Sequence, residues 1–387
     1  MSTLRYNRHG SALGPTLAVS VFSALVFCGM SVETPSRNNV QVQVESLLRS
    51  QRVPGAAIAV VREGKVLSET VLGSASLQLA VPIQRDTKFQ LASVTKVFTA
   101  IALLKLEQDG ALRLEDPVSK YLSGLPSQWE NITLRELATH TSGLPDIIAS
   151  PNKPLTEAEL NRPADQALLL AEKQAIEAPP GAQFKYDQTN YLLLMLVIEH
   201  VSGQEFRRFV TTHVLEPAMR RTGWGDARLI VDGRTDMYTA LYDDRIENGT
   251  NLFEYPKYLD AAAGLNSSIA DMEQFASLLT SGRLLSRTER ERMWEPAKNR
   301  NGKLIDIAKD MEIPGIVAPA VGWFYADNSA GRYPRVFMTG GSAVSIVVFP
   351  KQELCIISLT NLQAKDDPLP IAETIAKFYF PDIKPLF

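Results

Sequence analysis

The sequence predicts an α+β fold in which N- and C-terminal segments build one antiparallel sheet, flanked by helices, beside a mainly helical lobe. β-prone segments occur near both ends of the chain, and apolar residues recur at helical spacing between them, over about residues 113–281. We assign one domain to residues 40–387. In this layout a functional site is expected in the cleft between the sheet and the helical lobe.

The first strands are predicted from a short apolar segment and its polar continuation. Residues 56–61 are apolar and β-prone, Glu63-Gly64 is typical of a turn, and residues 65–72 alternate between apolar and polar side chains. The pattern predicts an antiparallel hairpin.

The C-terminal part of the sheet is predicted from four short β-prone segments followed by one amphipathic helix. The helix covers residues 369–378 and is expected to pack on one face of the sheet, while residues 350–352 form a turn. The four predicted strands are residues 321–325, 335–339, 345–349 and 354–360.

The N-terminus resembles an export signal. Arg5 and Arg8 precede an apolar stretch over residues 17–30, and small and polar residues follow from Ser31 onwards. This stretch is shorter than the about 20 apolar residues of a membrane-spanning helix. We therefore interpret residues 1–31 as a signal peptide and expect a periplasmic or secreted protein, with an uncleaved N-terminal anchor as the alternative.

Composition and missing motifs narrow the classes of function. The chain has 40 basic and 43 acidic residues, a net charge of -3 and no long run of one sign, so no nucleic-acid-binding face is expected. Neither a GxGxxG nor a GxxxxGK[ST] motif occurs, and the four histidines lack metal-ligand spacing. We expect no cofactor and no metal, and a small substrate that is neutral or weakly charged. The oligomeric state stays open.

Ser93 and Lys96 begin a long apolar helix that ends at Asp109-Gly110. A spacing of three places both side chains on one helical face, where a desolvated amine can take the proton of the serine hydroxyl. The alternative is an N-cap serine followed by a solvated lysine. Ser150 and Lys153 have the same spacing, but Pro151 between them argues against a helix.

Four segments in the same order resemble the beta-lactamase-related serine hydrolases, the group of class C beta-lactamases, DD-peptidases and family VIII esterases. They are FQLASVTKVFTAIALLKLEQDGALRLEDPVSKYL from Phe89, ITLRELATHTSGLPD from Ile132, PPGAQFKYDQTNYLLLMLVIEHVSG from Pro179 and FMTGGSAVSIVVFP from Phe337. The resemblance extends over about residues 44–380. It implies the beta-lactamase/transpeptidase-like fold.

The resemblance also implies roles for individual residues. Tyr186 matches the tyrosine that exchanges a proton with the serine and the leaving group, and the Lys96 charge is expected to favour its phenolate. The backbone N–H of Gly341, after the Met338-Thr339-Gly340 triplet, matches one oxyanion donor, and the N–H of Ser93 is the other.

Two positions depart from the family pattern. Gln188 stands where an asparagine is usual, and Met338 stands where a lysine or histidine is usual. Methionine cannot donate a hydrogen bond to a substrate carboxylate. Within the predicted site, the residues expected to recognise a substrate carboxylate are therefore the ones that differ most from the family pattern.

Together these observations predict a serine hydrolase that acts on an ester, amide or peptide substrate through an acyl-enzyme on Ser93, with Lys96 and Tyr186 as the proton-transfer pair. One alternative is a catalytically weak or silent sensor of the same fold. Another is a beta-lactamase or D-alanyl carboxypeptidase. The membrane is involved only if the N-terminal anchor is retained.

Overall fold

The computed structural model of the protein describes residues 37–148, 156–216, 218–225, 230–240, 246–249, 255–341, 343–363 and 369–386. The predicted signal peptide, residues 1–31, and the second Ser-Lys match at Ser150 lie outside these ranges. Within them, no helix is both long and apolar enough to cross a membrane. The same ranges contain no group of three or more His, Cys, Asp or Glu side chains that could hold a metal ion.

An eight-stranded antiparallel sheet joins the two ends of the chain, in the order β3-β2-β1-β13-β12-β11-β10-β9. Strands β1 and β13 are neighbours inside this open sheet, with Ile58 opposite Ser358, and their pairing joins the N-terminal strands to the C-terminal ones. The predicted α+β fold, with an antiparallel sheet built from N- and C-terminal segments, is confirmed. Its strands are β1 (Gly55–Arg62), β2 (Lys65–Ser76), β3 (Val81–Pro82), β9 (Ile316–Ala320), β10 (Trp323–Asp327), β11 (Arg335–Gly340), β12 (Val344–Phe349) and β13 (Leu354–Thr360).

Helices cover the central strands of this sheet on both faces. Helices α1 (Arg37–Ser50) and α11 (Leu369–Tyr379) pack against each other; α1 contacts β2, and α11 contacts β12 and β13. Helix α9 (Ile269–Thr280) packs against β1 and β13. Strands β12 and β13 are accordingly buried along their whole length, which is why their sequences are continuous apolar runs rather than alternating ones.

Helix α2 (Thr95–Gln108) forms the centre of the helical part and is apolar around most of its circumference. It packs against α6 and α8, and a short 3₁₀ turn, Ala92–Val94, leads into it. The remaining helices are α3 (Leu134–Ala138), α4 (Glu157–Leu160), α5 (Ala164–Glu172), α6 (Thr189–Ser202), α7 (Phe206–Val210), α8 (Asp260–Ala263) and α10 (Arg287–Met293).

Two small sheets complete the described fold, with the strand orders β14-β6-β7 and β4-β8-β5. The second of them carries β8 directly after α8, and β8 pairs with β4 just before the 3₁₀ turn. Their strands are β4 (Lys88–Gln90), β5 (Gly223–Trp224), β6 (Tyr238–Ala240), β7 (Ile246–Asn248), β8 (Leu265–Ser268) and β14 (Leu362–Gln363).

The prediction of a strand at residues 321–325 is wrong in its position. The structure has a hairpin there, with β9 ending at Ala320, β10 beginning at Trp323 and Gly322 in the turn at φ 76°. Since both strands are apolar, the sequence offers no break except this glycine. A Cβ on Gly322 would lie 2.9 Å from the Lys96 carbonyl oxygen, so the glycine also lets the hairpin approach α2 closely.

Candidate active site

Ser93 lies in the 3₁₀ turn that joins β4 to α2. The residue before it, Ala92, has φ 44°, a left-handed conformation that is rare outside glycine and costs on the order of 1–3 kcal/mol. Strand β11 packs directly against this turn. The approach is so close that a Cβ on Gly340 would lie 2.2 Å from the Leu91 carbonyl oxygen. Glycine is therefore required at position 340 for the strand to approach the turn so closely.

Lys96 is fully buried one turn after the serine, and uncharged oxygen atoms surround its amine. Lys96 Nζ lies 3.5 Å from Ser93 Oγ, 3.0 Å from Gln188 Oε1 and 3.1 Å from the carbonyl oxygen of Ala262 in α8. Burial lowers the pKa of Lys96 from its ordinary 10.5 to about 7, against a weaker opposing effect of the Asp146 charge. The amine is thus able to lose its proton near neutral pH.

Tyr186 contacts the same serine oxygen. Its hydroxyl donates to Ser93 Oγ at 2.9 Å, and Lys96 Nζ lies 4.8 Å from the centre of its ring. Loss of solvent raises the pKa of Tyr186 above its ordinary value, although its hydrogen bond to Ser93 acts in the opposite direction. These surroundings favour the neutral phenol, contrary to the expected phenolate, and the Lys96 amine lies over the ring face.

The loop that carries Tyr186 is held by the segment that follows α3. The backbone N–H of Lys185 donates to the His140 carbonyl at 2.8 Å, and that of Asp187 to His140 Nδ1 at 3.4 Å. The ring of His140 packs on Tyr186 with 4.3 Å between ring centres. Burial lowers the pKa of His140 well below its usual range, so the imidazole is a neutral support for the tyrosine loop.

The sequence matches the Beta-lactamase family over residues 38–378. This chain belongs to the Beta-lactamase family. A relative, penicillin-binding protein 4* of Bacillus subtilis (strain 168), is 29% identical over 74% of this chain and 67% of its own length. Protein flp of Staphylococcus aureus (strain COL) is 26% identical over 86% of this chain but only 64% of its own length.

Solved structures share the fold at low sequence identity. A penicillin-binding protein homologue from Pyrococcus abyssi, described as octameric, has a TM-score of 0.73 at 23% identity, over 89% of this chain and 77% of its own. A D-stereospecific amidohydrolase from Streptomyces has a TM-score of 0.71 at 22% identity, over 90% and 100%. These matches show the beta-lactamase/transpeptidase fold, and the family to which the chain belongs is one of serine hydrolases.

Strand β11 brings the Met338-Thr339-Gly340 triplet beside the turn that carries Ser93. Met338 is 3% exposed and belongs to the hydrophobic core, opposite Ile346 of β12, whereas Thr339 is half-buried. Gly341 follows at φ 56°. Thr339 and the backbone at positions 340 and 341 are thus the polar groups at this end of the strand, which packs against the turn that carries Ser93.

Arg335, on the same strand, forms an ion pair with Glu373 of α11. Its guanidinium is fully buried, lies 2.8 Å from Glu373 of α11 and donates to the Lys384 carbonyl. A substrate carboxylate in the cleft therefore gains no charge partner from Arg335.

Several residues that shape the site carried no predicted role. Asp146 Oδ1 accepts the backbone N–H of Gln188 at 3.1 Å, and Asp187 accepts that of Asn190 at 2.9 Å, so two carboxylates hold the start of α6. The Ala262 carbonyl that binds Lys96 has no sequence signal, because any residue supplies a backbone oxygen. Asp187 lies between Tyr186 and Gln188 in the chain, and this position is the sequence signal that could have found it.

Proposed function

We propose that this chain hydrolyses uncharged esters or amides through an acyl-enzyme on Ser93. One observation carries the proposal: a fully buried lysine amine with a pKa near 7 and a tyrosine hydroxyl both contact the same serine oxygen. A positioned base and a positioned acid on one nucleophile are what acyl transfer requires. The same contacts weigh against the alternative of a silent sensor.

The proton path follows from the two pKa directions. Neutral Lys96 takes the Ser93 proton as Oγ attacks the substrate carbonyl, and the N–H groups of Ser93 and Gly341 stabilise the oxyanion. Tyr186, which keeps its proton, donates it to the leaving group and is reprotonated by Lys96. Water then attacks the acyl-enzyme by the reverse path, which frees the acid and restores Ser93.

Uncharged substrates are favoured by the surroundings of the serine. Lys96 is occupied by the proton transfer, Arg335 is paired with Glu373, and Met338 has no hydrogen-bond donor. Penicillins and D-alanyl peptides carry a carboxylate, for which Lys96, Arg335 and Met338 would offer no free charge and Thr339 only an uncharged hydroxyl. We therefore expect weak activity on both, although penicillin-binding protein 4* is a relative.

A serine-directed probe tests the nucleophile. We expect a fluorophosphonate to label the wild-type protein on Ser93, and the Ser93→Ala variant to lose both labelling and hydrolysis of nitrophenyl esters. Intact-protein and peptide mass spectrometry locate the adduct. A label on another serine such as Ser150, or undiminished turnover by the Ala variant, would show that the nucleophile is misassigned.

A matched control separates this effect from misfolding. Ser119→Ala removes an exposed hydroxyl that bonds the Glu130 carbonyl at the surface, and we expect it to label and turn over like the wild type. A chromogenic cephalosporin and a D-alanyl peptide, assayed beside the esters, test the alternative beta-lactamase and carboxypeptidase activities. Efficient turnover of either would overturn the proposed preference for uncharged substrates.

We also propose that the protein is exported and acts in the periplasm or outside the cell. The support is the pattern of basic residues and apolar stretch before Ser31. N-terminal sequencing of the protein from a secretion-competent host tests this. A start near residue 32 is expected, and an intact N-terminus would indicate the anchored alternative.

A further inference from the structure

Helix α8 presents two backbone carbonyl groups to the N-terminal part of α2. The carbonyl oxygen of Ala262 accepts from Lys96 Nζ at 3.1 Å, and that of Ala261 accepts from Thr99 Oγ1 at 2.7 Å. Lys96 and Thr99 are three residues apart, so both bonds lie on one face of α2. The position of α8 therefore decides whether a carbonyl oxygen lies within hydrogen-bond distance of the Lys96 amine.

Helix α8 is too short to keep this position by itself. It has four residues, and an isolated helical turn of that length is not stable in water. Its first residue, Asp260, is paired with Arg207 of α7. Asp260 Oδ2 accepts from Arg207 Nε at 2.6 Å, and Oδ1 accepts from a terminal guanidinium nitrogen at 2.8 Å. Because a two-point bond of this kind fixes orientation as well as distance, α8 is anchored on α7 as well as on α2.

Both partners of this ion pair are largely withdrawn from solvent. The Asp260 side chain is 3% exposed, and that of Arg207 is 16% exposed. The carboxylate also lies against the end of its own helix, so closely that a Cβ on Gly264 would come 2.8 Å from Asp260 Oδ1. Loss of the ion pair would therefore act directly on the backbone of α8, at the opposite side from the bonds to α2.

We propose that Arg207 and Asp260 are positioning residues that hold the Ala262 carbonyl at the Lys96 amine and so adjust Lys96 as a base. A carbonyl oxygen binds an ammonium more strongly than a neutral amine, so a displaced carbonyl makes the ammonium form less stable. The ion pair acts through α8 and Lys96 and not on the reacting atoms. This inference rests on the proposed function, because it concerns the base that activates Ser93.

Other ionisable groups surround Lys96 from the loop after α3, from the start of α6 and from α6 itself. The variants described below leave all of these side chains unchanged, so any effect on Lys96 has to come from the ion pair or from α8. The surrounding groups are His140, Asp146, Tyr186, Asp187 and Tyr191.

The rate at which a fluorophosphonate labels Ser93 measures activation of the serine for any acyl preference. In the wild type this rate should rise with pH as Lys96 loses its proton near pH 7. The double variant Arg207→Met/Asp260→Asn removes the ion pair without changing the net charge. Its acidic limb should lie about half to one pH unit lower, and its plateau about three- to tenfold lower. A purely structural role would reduce the number of sites labelled at the end point and leave the limb in place.

The two single variants separate position from charge. Asp260→Asn leaves the Arg207 charge without this carboxylate, and Arg207→Met leaves the Asp260 charge without this cation. We expect both variants to label more slowly than the wild type at the plateau, because each breaks the same anchor of α8. A direct effect of charge would instead move their limbs in opposite directions and leave the double variant like the wild type. That result would overturn the inference.

Arg292→Met/Glu107→Gln is the matched control. Arg292 holds Glu107 near the other end of α2 through two bonds, at 2.9 and 3.3 Å, about 16 Å along the helix from Lys96. Removing this ion pair should leave the limb in place.

The inference is also overturned if the limb of Arg207→Met/Asp260→Asn stays within about 0.2 pH unit of the wild type. Should that variant fail to fold, Arg207→Lys decides by the same criterion, because it keeps the charge but lacks the guanidinium fork. Failure of the proposed function looks different: the wild type itself would then not be labelled on Ser93.

Discussion

Lys96 and Arg335 are both fully buried cations, and the protein stabilises them in opposite ways. The Lys96 amine meets uncharged oxygen atoms of Gln188 and Ala262, and burial lowers its pKa to about 7. The Arg335 guanidinium lies 2.8 Å from the buried Glu373 carboxylate. Lys96 thus has no carboxylate bonded to it, whereas Arg335 is paired with Glu373.

The difference is consistent with the chemical role proposed for Lys96 and with a structural role for Arg335. A guanidinium stays protonated in proteins, and a buried carboxylate beside it makes a fixed cross-link between β11 and α11. A lysine without a bonded carboxylate can give up its proton, which makes it a base but leaves it costly in its charged form. Replacing each cation by methionine should therefore affect different properties.

Lys96→Met should have the largest effect on catalysis. Without the base, kcat/KM on a nitrophenyl ester should fall by about 10²–10⁴. The midpoint of thermal unfolding should stay the same or rise, because the variant removes a desolvated amine. Steady-state kinetics and calorimetry on the same preparation measure both quantities, and a large loss of stability would contradict the view that Lys96 is tuned for chemistry.

Arg335→Met should have the opposite profile. Removal of one partner leaves Glu373 buried and unpaired, which should lower the free energy of unfolding by about 3–5 kcal/mol. Activity per folded molecule should be unchanged. Chemical denaturation of the single variant and of the double variant Arg335→Met/Glu373→Met measures this, and the double variant should recover most of the loss. A single variant as stable as the wild type would remove the contrast with Lys96.

The sequence predicted one of these cations and missed the role of the other. Ser93 and Lys96 are close in the chain, so helical spacing alone brought them together. Arg335 and Glu373 belong to elements far apart in sequence, and no local pattern pairs them.

The same limit applies to the fold and to the rest of the site. The hairpin of β1 and β2 followed from alternation and a turn, whereas the break at Gly322 was hidden inside one apolar run. The direction of the Tyr186 pKa was predicted wrongly, because desolvation of a phenol depends on packing that the sequence does not display.

Met338→Lys should add a third buried cation, which can be compared with Lys96 and Arg335. A charge-assisted bond to a substrate carboxylate contributes about 1.5–3 kcal/mol, so the ratio of kcat/KM on carboxylate substrates to that on neutral esters should rise roughly ten- to a hundredfold. Nitrophenyl esters with and without a terminal carboxylate measure this ratio. Met338→Leu is the control, with no shift expected. An unchanged ratio in the Lys variant would mean that position 338 does not reach the bound substrate.

The smallest effect expected is the pH dependence of the wild-type enzyme. The base form of Lys96 is the neutral amine, so kcat/KM on a neutral ester should fall about tenfold per pH unit below about 7 and level off above it. Tyr186 should add no alkaline limb near pH 10, because its pKa is raised. Arg335→Met should keep the limb and Lys96→Met should lose it.

The sign of the accompanying stability change follows from the same shift. The folded-state pKa of Lys96 is lowered to about 7 from an ordinary 10.5, so between these values the unfolded chain holds a proton that the folded chain lacks. Unfolding then takes up a proton, and the contribution of Lys96 to stability rises with pH across this window and is constant below it. The difference in unfolding free energy between the wild type and Lys96→Met, measured by denaturant titration at pH 6.5, 8 and 9.5, should therefore move in favour of the wild type as pH rises. If the difference in unfolding free energy does not change with pH, Lys96 keeps its proton in the folded protein. Another group would then have to act as the base.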